Sequence, residues 1–137
     1  MKTLQQPSTG IAGLDAMVDG LRLGDNVVWQ VDNIADYGLF VFAFVNRALA
    51  EHKQIIYVRF AQHRPLISEG PGVHICQLDA RHGFESFSRQ VHDIATAGGE
   101  GAYYVFDCLS DLLSAWATDL MIGNFFRITC PYLFQLN

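Results

Sequence analysis

An α/β fold with a mainly parallel sheet covered on both faces is predicted by two features of this 137-residue chain. Short apolar or β-branched runs alternate with longer stretches of helical periodicity, and glycine-rich turn clusters such as SEGPG (68–72) and AGGEG (97–101) separate them. Half of the residues are hydrophobic, enough for one folded domain, 1–137, with a core of its own.

In chain order, residues 27–31 form the first strand-like run, and the next element, 38–51, is apolar almost all round, as a helix buried on several sides would be. Runs 55–60 and 73–78 supply strands two and three. Phe84, Phe87, Val91 and Ile94 then recur at helical spacing before a Gly98-Gly99 stop, and 102–106 supplies the fourth strand. A long apolar helix is expected over 110–129, ending at Cys130-Pro131 because proline cannot continue a helix and biases its predecessor away from αR. Residues 132–136 remain as a fifth strand.

Charge and composition exclude several functions. Nine basic against fourteen acidic residues give a net charge of −5 with no basic stripe, so neither nucleic acid nor an anionic membrane is an expected partner. The amino-terminal MKTLQQPSTG lacks the apolar core of a secretory signal. The longest uninterrupted apolar run, 39–45, is far short of the roughly twenty residues that span a bilayer. Three cysteines, Cys76, Cys108 and Cys130, without C-x-x-C spacing favour reduced thiols and a cytoplasmic location over a disulfide framework.

The stretch STGIAGLDAMVDGLRLGDNVVWQ, 8–30, resembles the opening of KaiC-like members of the RecA ATPase superfamily. There a T-G-x-x-G-L-D segment and a G-G-L-x-x-G turn lead into the strand before the Walker A loop. The matching positions are Thr9, Gly10, Gly13, Leu14, Asp15, Gly20, Leu21 and Gly24, with Asp19 in place of the first glycine of the pair. VFDCLSDLL resembles the Walker B strand and its turn, which puts Asp107 at the metal-facing carboxylate. The resemblance implies a RecA-like three-layer α/β/α fold with a five-stranded sheet in the order 3-2-4-5-1.

Set against G-x-x-x-x-G-K-[ST], all four defining positions are lost: Val31 and Asp36 replace the glycines, Tyr37 the lysine and Gly38 the hydroxyl residue. Backbone wrapping, charge neutralisation and magnesium ligation fail separately. Asp32 and Asp36 add negative charge where a triphosphate would lie, and one like-charge contact at about 4 Å costs roughly 4 kcal/mol at an effective dielectric near 20. Where the family carries a glutamate pair after the second strand, this chain has Ala61 and Gln62. No catalytic residue, bound cofactor or metal is therefore expected, and the resemblance implies a pseudo-ATPase module acting in oligomerisation, partner docking or regulation. A nucleotide-binding enzyme with a divergent site is the alternative.

Other candidates have plainer readings. Asp107 and Ser110 precede a helix and are expected to cap it. His74 and Cys76 share a strand face but do not complete a zinc site. Arg59, His63 and Arg64 cluster at the end of strand two, where open α/β sheets bind ligands; a solvated rim of local ion pairs is expected, with an anion site as the alternative. Tyr37, Phe40, Phe42, Phe44 and Trp116 are expected in the core rather than in a base-stacking platform.

GLRLGDNVVWQVD, GFESFSRQVHDI and 103–136 also resemble the amino-terminal segment of long bacterial proteins that carry a phosphoenolpyruvate/pyruvate-binding domain of the pyruvate phosphate dikinase type. That resemblance implies a phosphotransferase-like parent whose ATP-grasp fold and phosphorylated histidine lie in other domains. On the RecA-like order the chain ends after its central strand and leaves strand one as an open, apolar edge, so self-association, most simply as a dimer, is expected.

Overall fold

The computed structural model describes residues 5–116 and 119–136. The first four residues of the amino-terminal stretch, and 117–118 within the expected helix 110–129, lie outside the described residues. The elements are α1 (Ala12–Met17), α2 (Ile34–Ala50), β1 (Ile55–Arg59), β2 (Val73–Gln77), a 3-10 turn (Ala80–His82), α3 (Phe84–Gly98), β3 (Tyr103–Asp107), α4 (Asp111–Ala115) and α5 (Asp119–Gln135).

The three strands are parallel in the order β2-β1-β3. β1 is central and buried at every position, as a parallel strand covered on both faces must be. One face of the sheet packs Ile55, Tyr57, Val73 and Val105 against Val41, Val45 and Ala48 of α2. The other packs Ile56, Val58 and Phe60 against Phe87 and Val91 of α3, Leu112 of α4, and Phe125 of α5. The chain is thus α/β with helices on both faces of a parallel sheet.

Three of the five expected strands form, and in the expected relative order 3-2-4. Expected strand one, 27–31, has no ladder partner, and Val27 and Val28 stay exposed. Its expected neighbour, 132–136, falls in the last turns of α5, so neither could pair with the other. α5 runs through Pro131 because Phe125, Thr129 and Leu133 recur every four residues on its buried face. Burying Phe125 and Leu133 contributes roughly 1.5–3 kcal/mol each, which offsets the cost of about 3 kcal/mol for an interior proline.

The expected helix 110–129 is broken. α4 ends where Trp116 turns extended, with φ −111° and ψ 134°. Its indole Nε1 donates to Ala80 O at 3.1 Å and its ring packs edge-on against Phe84, Phe87 and Phe125. Filling that aromatic pocket fixes Trp116 at the expense of helix continuity. α2, by contrast, starts earlier than expected, since Asn33 caps it by accepting from Ala35 N–H at 2.9 Å.

The T-G-x-x-G-L-D segment has a structural job. The Asp15 carboxylate accepts from Ser8 Oγ, from Thr9 N–H at 2.8 Å and from Thr9 Oγ1 at 2.6 Å, which fastens the chain in front of α1. Burial pushes its pKa up, but these bonds, Ser8 first, outweigh that and hold it below the ordinary value. Gly10, at φ +87°, lies against α2 so closely that a Cβ would stand 2.1 Å from Ala43 O. Gly24, at φ +86°, meets the Phe134 ring in the same way, with 2.4 Å to a would-be Cβ. Both glycines dock the amino-terminal segment onto helices.

Candidate functional site

The residues singled out from the sequence meet at the carboxyl ends of β1 and β3. In the parallel register Tyr57 pairs with Val105 and Arg59 with Asp107, so Tyr57, Arg59 and Asp107 share the face that α2 covers. Asp107 is 1% exposed. Its Oδ2 accepts from the Tyr57 hydroxyl, and its Oδ1 faces His63 Nε2 at 2.9 Å. The other His63 nitrogen, Nδ1, faces Arg64 O at 2.7 Å. With Asp107 ionised, both imidazole bonds form together only when the ring carries two protons.

Arg59 is turned inward rather than toward solvent. One terminal nitrogen donates to the backbone oxygens of His63 and, at 3.4 Å, of Ala61; the other reaches Gln77 Oε1 at 3.4 Å. Its Nε makes no hydrogen bond among the described residues and has the Asp107 carboxylate 4.0 Å away. The result is a cluster in which Asp107, Arg59 and Tyr57 are buried and His63 is half-buried. Arg64 stays exposed outside it.

These contacts correct three expectations. Asp107 does not cap α4, since its oxygens are engaged by Tyr57 and His63. Ser110 holds the cap position of α4 geometrically, but its side chain makes no capping bond. Arg59 and His63 do not form a solvated rim, because a charged guanidinium set in a buried strand must bring its counter-charge inside with it. The sequence held a signal for this: an Arg two residues after a Tyr in an otherwise apolar strand asks for a carboxylate on the neighbouring strand. Tyr57 was the residue overlooked.

Val31, Asp36, Tyr37 and Gly38 lie at the start of α2. Asp36 is exposed in its first turn, and two of the first amides are met by Asn33, that of Ala35 by its side chain at 2.9 Å and that of Asp36 by its backbone oxygen at 3.0 Å. Gly38 is buried within α2, yet nothing outside the helix lies within 4 Å of a would-be Cβ, so no close backbone approach demands glycine there. Tyr37 is brought toward Asp107. Burial, then the negative charge of Asp107 and Cys108, pushes its phenol up to about 12, so it stays protonated near neutral pH. Burial and the bond to Asp107 push Tyr57 up as well. Ala61 is buried and Gln62 exposed; neither supplies a base.

Tyr37 and Asp107 also stand on the wall of a cavity of about 700 Å³. It lies beside β3, between α2 and α5, and residues 21–31 also line it. Trp29 of that stretch stacks on Phe40 of α2 with ring centroids 4.3 Å apart. Phe40, by lining this cavity, departs from the core role expected of it, and Phe42 is exposed.

His74 and Cys76 lie on β2 as expected. Among the described residues no group of three His, Cys, Asp or Glu side chains is placed to hold a metal ion. All three cysteines are free of disulfides, and no described helix is long and apolar enough to cross a membrane. Comparison with protein-family models and with curated proteins finds no match to this chain.

Proposed function

We propose that this chain is a non-catalytic module of RecA/KaiC-like descent that serves in oligomerisation, partner docking or regulation and does not hydrolyse nucleotide. The observation that carries this reading is the start of α2. A helix N-terminus binds phosphate through free amides and a positive dipole end. Here Asn33 takes the place of a ligand by accepting from Ala35 N–H, Asp36 adds a negative charge in the first turn, and Tyr37 replaces the lysine of the G-x-x-x-x-G-K-[ST] pattern in the sequence. Asp107 is in turn committed to Tyr57, His63 and Arg59. Exposed apolar side chains on α2, Leu39 and Phe42, support the docking role.

Calorimetry and thermal-shift measurements with millimolar MgATP test the reading. A ligand at a hundred times its Kd adds about 2.7 kcal/mol of stability, well above detection. The expected result is no shift and no phosphate release. Phosphate release, or a rise in Tm with MgATP that magnesium triphosphate reproduces, overturns it.

A further inference from the structure

The cavity beyond β3 is bounded by an unpaired strand edge. Tyr103 N–H donates to Gln54 O and Asp107 O accepts from Phe60 N–H, so residues 103, 105 and 107 spend their backbone groups on the β1 side. In a parallel ladder the alternate residues face the other way. The N–H and C=O groups of Tyr104 and Phe106 therefore point into the cavity, and no partner for them is found among the described residues. The cavity thus offers a row of alternating donors and acceptors.

The walls from α2 and α5 are largely apolar, and the charged residues of the lining are Arg22 and Asp25, both exposed, and Asp107. α2 contributes Tyr37, Phe40 and Phe44, and α5 contributes Phe125 and Phe126. Phe44 stacks on Tyr103, as Trp29 stacks on Phe40, so each of these rings is held in place at the cavity wall by one of its faces. Asp107 at one end is engaged by its own partners, Tyr57, His63 and Arg59. A volume of about 700 Å³ lies within the roughly 300–1,000 Å³ of small-molecule sites. Because residues 21–31 already stand along this space, a strand from another chain would have to displace them, whereas a small molecule fits it as it stands.

We propose that the cavity between the β3 edge, α2 and α5 is a binding site for an uncharged, planar heteroaromatic molecule with a hydrogen-bond donor beside an acceptor. The rings of Phe40 and Phe44 cover its face, and the backbone of Tyr104 and Phe106 reads its edge. The site adjoins the start of α2 through Tyr37, but it takes an uncharged ring and no triphosphate, so its test is separable from that of nucleotide hydrolysis.

The test titrates the whole chain with two isosteric bicycles near neutral pH, 4-aminoquinazoline with a donor–acceptor edge and naphthalene without one, by thermal shift and Trp fluorescence. The amine should bind in the sub-millimolar range and about tenfold tighter than naphthalene, the margin of one net hydrogen bond. Phe106→Pro removes an N–H that faces the cavity while sparing the ladder to β1, and should erase that margin. Cys130→Phe narrows the cavity from α5 without touching β3, and should weaken both probes. Failure of both probes to bind, equal affinities, or a preference that survives Phe106→Pro overturns the proposal. Self-association that excludes the amine and is lost in Phe106→Pro also overturns it, and assigns the edge to a strand from a second copy. Magnesium triphosphate serves as a separate arm, because ATP itself carries a ring of the proposed kind: a shift with triphosphate, or phosphate release from MgATP, refutes the non-hydrolysing reading and leaves this site untouched.

Discussion

Asp107 makes the clearest statement at the scale of single residues, because its partners convert a capping expectation into a measurable difference. A cap tolerates Asn almost as well as Asp and loses about 1 kcal/mol with Ala. A buried counter-ion does not. Removing the carboxylate charge leaves Arg59 buried without compensation, a change that costs about 3–5 kcal/mol. Asp107→Asn and Asp107→Ala should therefore both be strongly destabilising in urea titrations, and Tyr57→Phe should cost roughly 1.5–3 kcal/mol through its lost bond to a charged group. A near-neutral Asp107→Asn would return Asp107 to the capping role. The sequence marked Arg59, His63 and Asp107 individually as chemistry-bearing residues. Their meeting was not legible, since it depends on the register of β1 against β3, a contact between segments more than forty residues apart.

Elements whose side chains repeat with one clear period were legible, and those decided by distant packing were not. α3 follows its apolar spacing to the Gly99 turn, and β1, β2 and β3 follow their apolar runs. Residues 26–31 carry the same signature as these strands but find no neighbour, and a strand without a ladder is only an extended segment. α5 failed in the opposite sense: the local rule at Pro131 was outweighed by Leu133 in the core, by Tyr132 stacked on His92, and by the Tyr132 hydroxyl bonded to Thr96. Because α5 runs through Pro131, the proline ring crowds the preceding turn and an N–H is missing from the helix. Pro131→Ala should then raise stability by about 1–2 kcal/mol, read as a higher urea midpoint at unchanged slope, once the greater freedom of the unfolded chain is subtracted. A loss of stability instead would mean that residues 132–136 need the proline as a boundary, as an extended segment would.

For the whole molecule, the question is what the missing part of the sheet layer implies for association. With three strands instead of five, the edge that sequence reasoning placed at residues 27–31 moves to β3, and α2 extends past that edge with Leu39 72% and Phe42 49% exposed. These two are three residues apart and so lie on one side of the helix. Val28, just before the helix, is 71% exposed. Single exposed apolar residues are ordinary, but here two of them stand together on the outer side of a helix whose inner side is buried against the sheet, between the exposed polar residues Asp36 and Asn46. The proposed docking role accounts for that second face. Its simplest form is a two-fold pair in which α2 packs on its copy, because an isologous contact buries the same patch twice and closes on itself. Light scattering and sedimentation should show concentration-dependent dimerisation in the micromolar range. Phe42→Glu should weaken it by removing the apolar contact and setting two carboxylates near the axis, whereas Val27→Lys, on the loop before α2, should weaken it less. A monodisperse monomer at high micromolar concentration would overturn self-association, and would leave the outer face of α2 to a partner of another sequence.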